Sequence, residues 1–219
     1  MHILVIGGSG RTGKLVLDEL QLQGHEITTL ARDPAALEGY NVNIVQGTPT
    51  KLEDVRAAFR PNIPDTVIVT LNAPRASDSP FAAPISPPRL MADCNANIVS
   101  AMKEFGVQKI VILQAFGVGT SWDNMPCMLQ LLMSKSNMRY QYDDHNHTDR
   151  EIQESGVNFV FVRPARLVES TDKTVAREWP NEGKGMSLMA SCSRKSVAHF
   201  LVSAATQKTW DGQAPVITN

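Results

Sequence analysis

Residues 5–14, VIGGSGRTGK, join a short apolar run to an amphipathic stretch and carry glycines at positions 7, 10 and 13. The run HILVI (2–6) is typical of a buried strand, and helical spacing of apolar residues continues to residue 23. In such a strand–loop–helix, Gly7 would make the tight turn, Gly10 would admit a pyrophosphate and Gly13 would let the helix pack closely. Helix N-termini also attract phosphate groups. The pattern predicts a dinucleotide-binding loop rather than three unliganded loop glycines, with contacts from Gly7, Gly8, Ser9, Gly10, Arg11, Thr12 and Gly13.

Strand-like and helical segments alternate from this loop to the C-terminus. TVIVTL (66–71) is apolar throughout, as expected of a parallel strand covered by helices on both faces. The alternation predicts an α/β fold, with a doubly wound, mostly parallel sheet and helices on both faces, in a single domain over residues 1–219. The predicted strands are 2–6, 26–31, 43–47, 66–71, 109–116, 157–164 and 214–218. The predicted helices are 11–23, 52–59, 89–107, 143–154 and 193–207.

Composition narrows the classes of partner. The chain has 219 residues, of which 42% are hydrophobic and 20% charged, and its net charge is −1, without a basic cluster that would favour nucleic acid or a membrane surface. No apolar stretch reaches the ~20 residues that span a bilayer, and the strand-like start differs from a signal peptide. The cysteines at 94, 127 and 192 lack CxxC spacing and are expected to be free thiols. We expect a cytoplasmic monomer or homodimer with a small-molecule partner.

The end of the second strand, TLARD (29–33), bears on the choice of dinucleotide. An acidic residue there would hold the ribose 2′-hydroxyl of NAD(H), but two apolar residues are followed by Arg32. The Arg32 guanidinium can pair with a 2′-phosphate, and Arg11 could add a second cation. Asp33 is the competing signal, although an aspartate before a proline is typical of a turn. The sequence therefore favours NADP(H) over NAD(H).

The other expected contacts come from the carboxyl ends of the strands, where open α/β sheets bind their ligands. Residues 47–48, 71–73, 114–116 and 163–165 lie at such ends. The cofactor-binding prediction accordingly also includes Thr48, Leu71, Asn72, Ala73, Gln114, Ala115, Phe116, Pro164 and Ala165.

Two segments outside the predicted sheet suggest a substrate pocket. Residues 74–88 contain five of the 13 prolines and are predicted to form a loop that covers a site. Residues 125–133 carry an apolar stripe at helical spacing, which is expected to be pocket wall or core and consists of Met125, Met128, Leu129, Leu132 and Met133. His199 lies on an apolar helix face and is predicted to be a core residue.

The stretch YDDHNHTDR (142–150) has the highest density of acid–base groups. A metal site is disfavoured because His145 and His147 are two residues apart and point roughly 200° from each other on a helix; no metal is predicted. Asp143 and Asp144 are predicted to complement the dipole at the start of their own helix. His145 is the candidate for a catalytic or cofactor role, because histidine titrates near neutrality.

Six stretches carry a family resemblance: GGSGRTG (7–13), TLARD (29–33), NANIVSAMKEFGVQKIV (95–111), AFGVG (115–119), DDH (143–145) and ESGVNFVFVRP (154–164). Together they resemble the atypical short-chain dehydrogenases/reductases, and most closely the NAD(P)-binding, NmrA-like group that includes biliverdin-IXβ/flavin reductase. The resemblance implies an NADP-dependent, Rossmann-type oxidoreductase. It also implies a substrate pocket above the nicotinamide, formed by residues 74–88, 116–138 and 166–192.

The same resemblance implies that the usual catalytic set is replaced. Short-chain dehydrogenases use Ser, Tyr and Lys, in which Tyr exchanges the proton with the substrate. Counting back from the ESG motif places His145 at the Lys position and Gln141 at the Tyr position, while Gln114 or Ala115 stands in place of Ser. The candidate catalytic residues are therefore His145, Tyr142 and Gln114, and His145 is also expected to contact the cofactor.

Three functions remain open from the sequence. The first is an NADP(H)-dependent reductase of a flat conjugated small molecule, such as a flavin, a quinone or an aromatic polyketide intermediate. Such an enzyme can work chiefly by orienting its substrate against the nicotinamide. The second is an NADP-binding regulatory or interaction protein of the NmrA-like type. The third is a non-redox, isomerase-like enzyme that uses the same pocket.

Overall fold

A computed structural model describes residues 1–77, 79–170 and 175–219, which form a central sheet flanked by helices. The strands are β1 (His2–Ile6), β2 (Glu26–Ala31), β3 (Asn43–Gln46), β4 (Thr66–Val69), β5 (Lys109–Leu113), β6 (Asn158–Pro164), β7 (Arg166–Val168), β8 (Arg177–Trp179), β9 (Ser191–Ser193) and β10 (Val216–Thr218). The α-helices are α1 (Arg11–Leu22), α2 (Leu52–Phe59), α3 (Leu90–Phe105), α4 (Cys127–Lys135), α5 (Met138–Ser155) and α6 (Arg194–Thr206).

The main sheet has eight strands in the order β3-β2-β1-β4-β5-β6-β10-β8. All neighbouring pairs are parallel except β10 and β8, which are antiparallel. The first six strands have the order of a doubly wound dinucleotide-binding sheet. The predicted α/β fold class is therefore confirmed. The short strands β7 and β9 pair in a separate two-stranded sheet, which the sequence did not predict.

The two faces of the sheet carry separate apolar cores. Ile3 and Val5 of β1 pack in one cluster with buried residues of α1 and α6. Leu4 and Ile6 pack in the other with α2, α3 and α5. All five residues of β1 are buried, because successive side chains point to opposite, equally covered faces. This double coverage explains why the strands read as continuous apolar runs.

The helix that carries the acidic–histidine stretch begins earlier than predicted. It starts at Met138 rather than near residue 143, so Asp143 and Asp144 lie beyond its first turn. The prediction that they complement the dipole of this helix is wrong. Instead, the buried Asp144 carboxylate accepts hydrogen bonds from the backbone N–H groups of Met91 (2.8 Å) and Ala92 (2.9 Å) at the start of α3. Asp144 therefore stabilises the N-terminus of a neighbouring helix.

Two further expectations concern apolar packing. The predicted apolar stripe is divided: Met125 is buried, whereas Met128 of α4 is 66% exposed. The prediction for His199 is wrong, because its side chain is 45% exposed and lies 3.0 Å from Glu19 on α1.

The three cysteines are free thiols, as predicted. Within the described ranges, no helix has the length and apolar character required to cross a membrane.

Candidate functional site

The glycine loop adopts the geometry expected of its residues. Gly7 has a φ of +91° and lies close to the end of β4. A Cβ atom at this position would be 3.0 Å from the carbonyl carbon of Thr70, the residue after β4. A Cβ atom at Gly13 would be only 2.1 Å from the carbonyl oxygen of Gly7. At Gly10 the nearest atom would be 3.3 Å away. Gly7 and Gly13 are thus required by the protein's own packing, whereas the surface at Gly10 is more open.

The first turn of α1 is well suited to an anion. Its N-cap residue is Gly10, which has no side chain to bond the N–H groups, and the first turn has no acidic residue. Beside this turn, Arg194 donates from Nη1 to the Thr12 hydroxyl (3.3 Å) and from Nε to Glu169 (2.7 Å). The Arg11 guanidinium is 3.9 Å from the same Glu169 carboxylate. Two guanidinium groups against one carboxylate leave a net positive charge beside the positive end of the helix dipole, which favours an anion at the loop.

The end of β2 presents a cation rather than a free carboxylate. Arg32 is exposed directly after Ala31. The Asp33 carboxylate accepts a hydrogen bond from the backbone N–H of Ala35 (3.0 Å) and caps the short 3₁₀ helix Pro34–Leu37. The prediction that Asp33 starts a turn is confirmed. Farther along this edge, the backbone N–H of Thr48 donates to Asp54 (2.9 Å).

Helix α5 is attached to the carboxyl end of β4 by Gln141. Its Nε2 donates to the side-chain oxygen of Asn72 (3.0 Å) and to the carbonyl of Ala73 (2.6 Å). Gln141 occupies the position where the resemblance implies a catalytic tyrosine. In this protein that position holds a buried amide that fixes the helix over the strand ends. Leu71, the first residue of the same segment, packs against the core beneath α5.

Tyr142 already has a hydrogen-bond partner. Its hydroxyl donates to the carbonyl oxygen of Phe116 (2.9 Å), and its ring meets Trp122 edge-on with 6.1 Å between centroids. Burial raises the pKa of Tyr142 to about 12. The hydroxyl is therefore protonated at neutral pH and its proton is directed at the backbone. This geometry favours a structural role in joining α5 to the loop after β5.

His145 is partly buried and lies one turn from each of the buried residues Gln141 and Asp149, on the same side of α5. Burial, together with the nearby Arg163 cation, lowers the pKa of His145 to about 4. The expectation that this imidazole titrates near neutrality is wrong. A neutral imidazole can still exchange a hydrogen bond with a ribose hydroxyl, because one ring nitrogen donates and the other accepts.

Gln114 lies directly after β5 and is 3% exposed. Its Oε1 accepts a hydrogen bond from Nε of Arg163 (3.1 Å). No partner for its Nε2 is present among the residues that the structure describes. Arg163, in turn, donates to the Thr120 hydroxyl (3.2 Å) and forms an ion pair with Asp149. A buried polar network thus connects the ends of β5 and β6 with α5.

The remaining strand-end residues meet around an apolar cluster. The backbone N–H of Phe116 donates to Pro164 (3.0 Å), that of Ala165 donates to Ile217 (2.9 Å), and the carbonyl of Ala115 accepts from Val118 (3.2 Å). The buried members of this third cluster are Phe116, Met125, Ala165, Met186 and Val216. Partly buried residues packed against it are Trp122, Leu129, Met133, Tyr142, Trp179 and Ala190.

The predicted pocket segments contribute unequally. Residues 116–138 and 166–192 both supply the third cluster. The proline-rich loop 74–88 leaves Phe81 68% exposed, and the carbonyl of Phe81 accepts from Asn137 (3.0 Å) just before α5. Residues 78 and 171–174 of the predicted segments lie outside the described residues. The loop is therefore tied to the start of α5, the helix that carries Tyr142 and His145.

Sequence reasoning missed the parts of the site that act through side-chain pairing. The sequence places Arg163 at a strand end and Asp149 in a polar stretch, but it does not show that the two side chains pair. The available signal was the charged residue in the apolar strand NFVFVRP, since a cation buried there requires an anion from another element. Among the described residues, no three His, Cys, Asp or Glu side chains are grouped to hold a metal ion.

Comparisons with known proteins agree with this geometry. A family model for NAD(P)H-binding proteins matches residues 7–208. A Bacillus halodurans protein provisionally assigned as an NAD-dependent epimerase/dehydratase has a TM-score of 0.78 at 19% identity, over 100% of this chain and 94% of that one. ChuY, an anaerobillin reductase from Escherichia coli O157:H7, has a TM-score of 0.76 at 15% sequence identity, and the match covers 99% of this chain and 96% of ChuY. A short-chain dehydrogenase/reductase from Veillonella parvula in complex with NADP has a TM-score of 0.74 at 16% sequence identity, and the match covers 100% of this chain and 94% of that one.

Proposed function

Because the chain belongs to the NAD(P)H-binding family, we propose that it is an NADP(H)-dependent reductase that acts without the usual Ser–Tyr–Lys set. The likeness to atypical short-chain dehydrogenases/reductases that the motifs indicated is confirmed. The fold is that of an NAD(P)-binding oxidoreductase. The proposed substrate is a flat conjugated molecule such as a flavin, a quinone, an aromatic polyketide intermediate or a linear tetrapyrrole.

The observation that carries the proposal is the position of the third apolar cluster. It begins directly after β5 and β6, at the edge of the sheet where a dinucleotide binds in this architecture. Three of its members, Phe116, Met125 and Met186, are buried. Trp122, Met133 and Trp179, which pack against them, are only partly buried. Aromatic faces and polarizable thioethers suit a flat apolar molecule. Exposed apolar side chains lie on the nearby loop 74–88 and on α4, namely Phe81, Ile85, Met128 and Leu131.

The choice of NADP(H) is supported by the end of β2. Asp33 is engaged as a cap, while Arg32 is exposed beside it. A guanidinium group pairs well with a phosphate, whereas the ribose diol of NAD(H) is usually held by a carboxylate. Arg11 lies within the glycine loop and provides a second positive charge at this end of the site.

The chain's own residues would orient the reactants rather than exchange a proton with the substrate. Bound NADPH would supply the hydride. Tyr142, with a pKa of about 12, and His145, with a pKa of about 4, both lie far from neutrality. We propose that His145 bonds the cofactor ribose as a neutral imidazole and that solvent supplies the proton. Catalysis then rests on proximity and orientation, which require no acid–base pair.

The hydrogen bonds of Gln141 and Tyr142 favour a second candidate, a regulatory or interaction protein that binds NADP without turnover. A site in which Gln141 and Tyr142 are occupied by structural hydrogen bonds can bind a dinucleotide and perform no chemistry. A non-redox, isomerase-like reaction in the same pocket is a third candidate. Both differ from a reductase in leaving NADPH unoxidised.

The deciding experiment measures NADPH binding and NADPH oxidation separately. Binding is followed by calorimetry, and oxidation by the loss of reduced-nicotinamide absorbance with a panel of flavins, quinones and linear tetrapyrroles. We expect oxidation with at least one class. Tight NADPH binding without oxidation across the panel would contradict the reductase assignment for these substrates and leave the binding roles.

Replacement of Arg32 by alanine tests the cofactor preference. The variant should weaken NADPH binding about 10- to 100-fold, because a hydrogen bond to a charged group contributes about 1.5–3 kcal/mol. NADH binding should change little. Arg60→Ala, at an exposed arginine just after α2, is the matched control. Equal losses for the two dinucleotides in Arg32→Ala would refute the 2′-phosphate assignment.

A further inference from the structure

We infer that Gln114 donates a hydrogen bond from Nε2 to a carbonyl oxygen of a ligand bound at the strand ends, and that Arg163, held by Asp149, is the positioning residue for this donor. The carbonyl belongs either to the carboxamide of the nicotinamide ring or to the substrate. The inference rests on the proposed function only in that a dinucleotide binds at this edge of the sheet.

The orientation of the Gln114 amide follows from the chemistry of its partner. An amide oxygen and an amide nitrogen are normally hard to distinguish in a structure. Here the neighbour is Nε of Arg163, 3.1 Å away, and a guanidinium group can only donate. The atom that faces Arg163 must therefore be the oxygen. It follows that the NH₂ group points away from the guanidinium.

The NH₂ group is a buried donor in need of an acceptor. Gln114 is 3% exposed, and within the described part of the chain Nε2 has no hydrogen-bond partner. Leaving a buried polar group unpaired destabilises the folded protein, and such groups are few in folded proteins. Gln114 follows directly after β5, at the carboxyl edge where this architecture binds ligands. A ligand oxygen is the acceptor that this location offers.

Arg163 is fixed on every side that the structure describes. Its side chain is 1% exposed and bonds to Gln114, Thr120 and Asp149 through three different nitrogens. The second Asp149 oxygen accepts from Gln153 one turn farther along α5. Any other rotamer of Arg163 would break these three contacts, so the guanidinium group holds the amide that it bonds.

The loop after β5 packs directly on this ion pair. A Cβ atom at Gly119 would lie 2.6 Å from Nη2 of Arg163 and 3.1 Å from the Asp149 carboxylate. The backbone N–H of Gly119 also donates to Asn146 of α5 (2.9 Å). The ion pair is therefore enclosed by β5, β6, α5 and this loop. Breaking such a buried pair is costly, and its position beneath Gln114 relates it to the site.

The cation also strengthens the donor. Arg163 polarises the amide by bonding its oxygen, which makes the NH₂ hydrogens more positive and the outward hydrogen bond stronger. A carbonyl that gains negative charge during hydride transfer would be stabilised by such a preorganised donor. The role assigned to Gln114 is thus electrostatic and does not require a change of protonation.

Nuclear magnetic resonance tests the donor directly. The side-chain NH₂ signals of Gln114 in ¹⁵N-labelled protein are identified by their absence in Gln114→Glu, which keeps the oxygen facing Arg163 and removes the donor. Gln108→Glu, at the exposed glutamine before the opposite end of β5, is the matched control. The signals are recorded with NADP⁺ alone and then with NADP⁺ and riboflavin.

Each result decides the assignment. A shift of the Gln114 NH₂ signals with NADP⁺ alone identifies the nicotinamide carboxamide as the acceptor. A shift only after riboflavin is added identifies a substrate carbonyl. Signals that move in neither condition would mean that the donor serves a bound water or nothing, and would overturn the inference. If NADP⁺ binds but NADPH is never oxidised, the reductase proposal fails while this test remains valid.

The positioning role is tested with Arg163→Lys, which keeps a cation for Asp149 and removes the Nε donor. Arg163→Lys and Gln114→Glu should each reduce NADP⁺ affinity or kcat about 10- to 100-fold, as expected for one preorganised donor. The double variant should lose no more than the more severe single variant, because both changes remove one interaction. Fully additive losses would refute the positioning role.

Thermal unfolding of each variant separates this effect from loss of folding. If Arg163→Lys does not fold, Asp149→Asn keeps an acceptor for the guanidinium and removes only the charge. In Asp149→Asn the ligand-induced shift of the Gln114 signals should become smaller. An unchanged shift in a folded Asp149→Asn would show that the ion pair does not position the donor.

Discussion

The glycine loop and the α5 side of the site are built in different ways. The loop uses consecutive residues, and its main features are backbone features: a positive φ at Gly7, a close contact at Gly13 and an uncapped helix N-terminus. On the α5 side, side chains of α5 bond to groups after β4 and β5, to Arg163 of β6 and to the backbone at the start of α3, all of which are distant in sequence. Asp144 bonds to residues about fifty positions earlier, and Gln141 to residues almost seventy positions earlier. The first region is therefore sensitive to small changes of backbone space, and the second to changes of side-chain polarity.

The largest expected effect is in the loop. Gly13→Ala should lower the free energy of unfolding by about 3 kcal/mol or more, because overpacking typically costs about 1–3 kcal/mol and this contact is with rigid backbone. NADPH binding should be lost with it. Gly10→Ala should cost about 1 kcal/mol or less, in line with helix-cap substitutions, yet should weaken NADPH binding at least tenfold. Urea unfolding and calorimetry measure the two quantities.

The contrast between these two glycines is the control within the loop. Equal stability losses in Gly10→Ala and Gly13→Ala would show that the whole loop is limited by internal packing. Unchanged NADPH binding in a stable Gly10→Ala would show that the pyrophosphate does not approach this residue.

The next effect concerns the cap that α5 provides for α3. Asp144→Ala should lower the free energy of unfolding by about 2 kcal/mol, the upper end of the range for helix-cap removal, because two buried N–H groups lose their acceptor. Asp143→Ala, at the exposed neighbouring aspartate, should change stability by less than about 0.5 kcal/mol. Denaturant unfolding of both variants measures the difference, and similar values would contradict the cap.

The last prediction concerns the pH dependence that His145 adds to stability. Its pKa is about 4 in the folded protein against an ordinary value of 6.5, so between these values the unfolded chain binds more protons at this site. Stability should therefore fall as pH decreases from 6.5 towards 4, and this contribution should be absent above pH 7. His145→Gln should show a smaller drop in Tm between pH 7 and pH 5 than the wild type. Parallel curves for the two proteins across that window would contradict the lowered pKa of His145.

Local patterns in the sequence correctly predicted the tight turn at Gly7, the doubly wound sheet and the turn at Asp33. Each is visible in a short stretch of sequence. The turn needs glycine because a Cβ atom would clash, a strand covered on both faces is apolar throughout, and Asp33 bonds to a residue two positions away. His199 was predicted wrongly for the opposite reason. Its apolar neighbours on α6 suggested burial, but Glu19 of α1 supplies a partner at the surface.

The sequence by itself determined the family, the doubly wound sheet and the loop that is expected to bind the dinucleotide phosphates. Backbone geometry imposes narrow requirements on residue type at fixed spacing, and those requirements are visible in VIGGSGRTGK. Only the tertiary structure decided that Asp144 caps α3 and that Asp149 pairs with Arg163. It also lowers the pKa of His145 to about 4. Pairing and desolvation depend on which elements meet in space, and two adjacent aspartates in one polar stretch carry no record of which one faces inward.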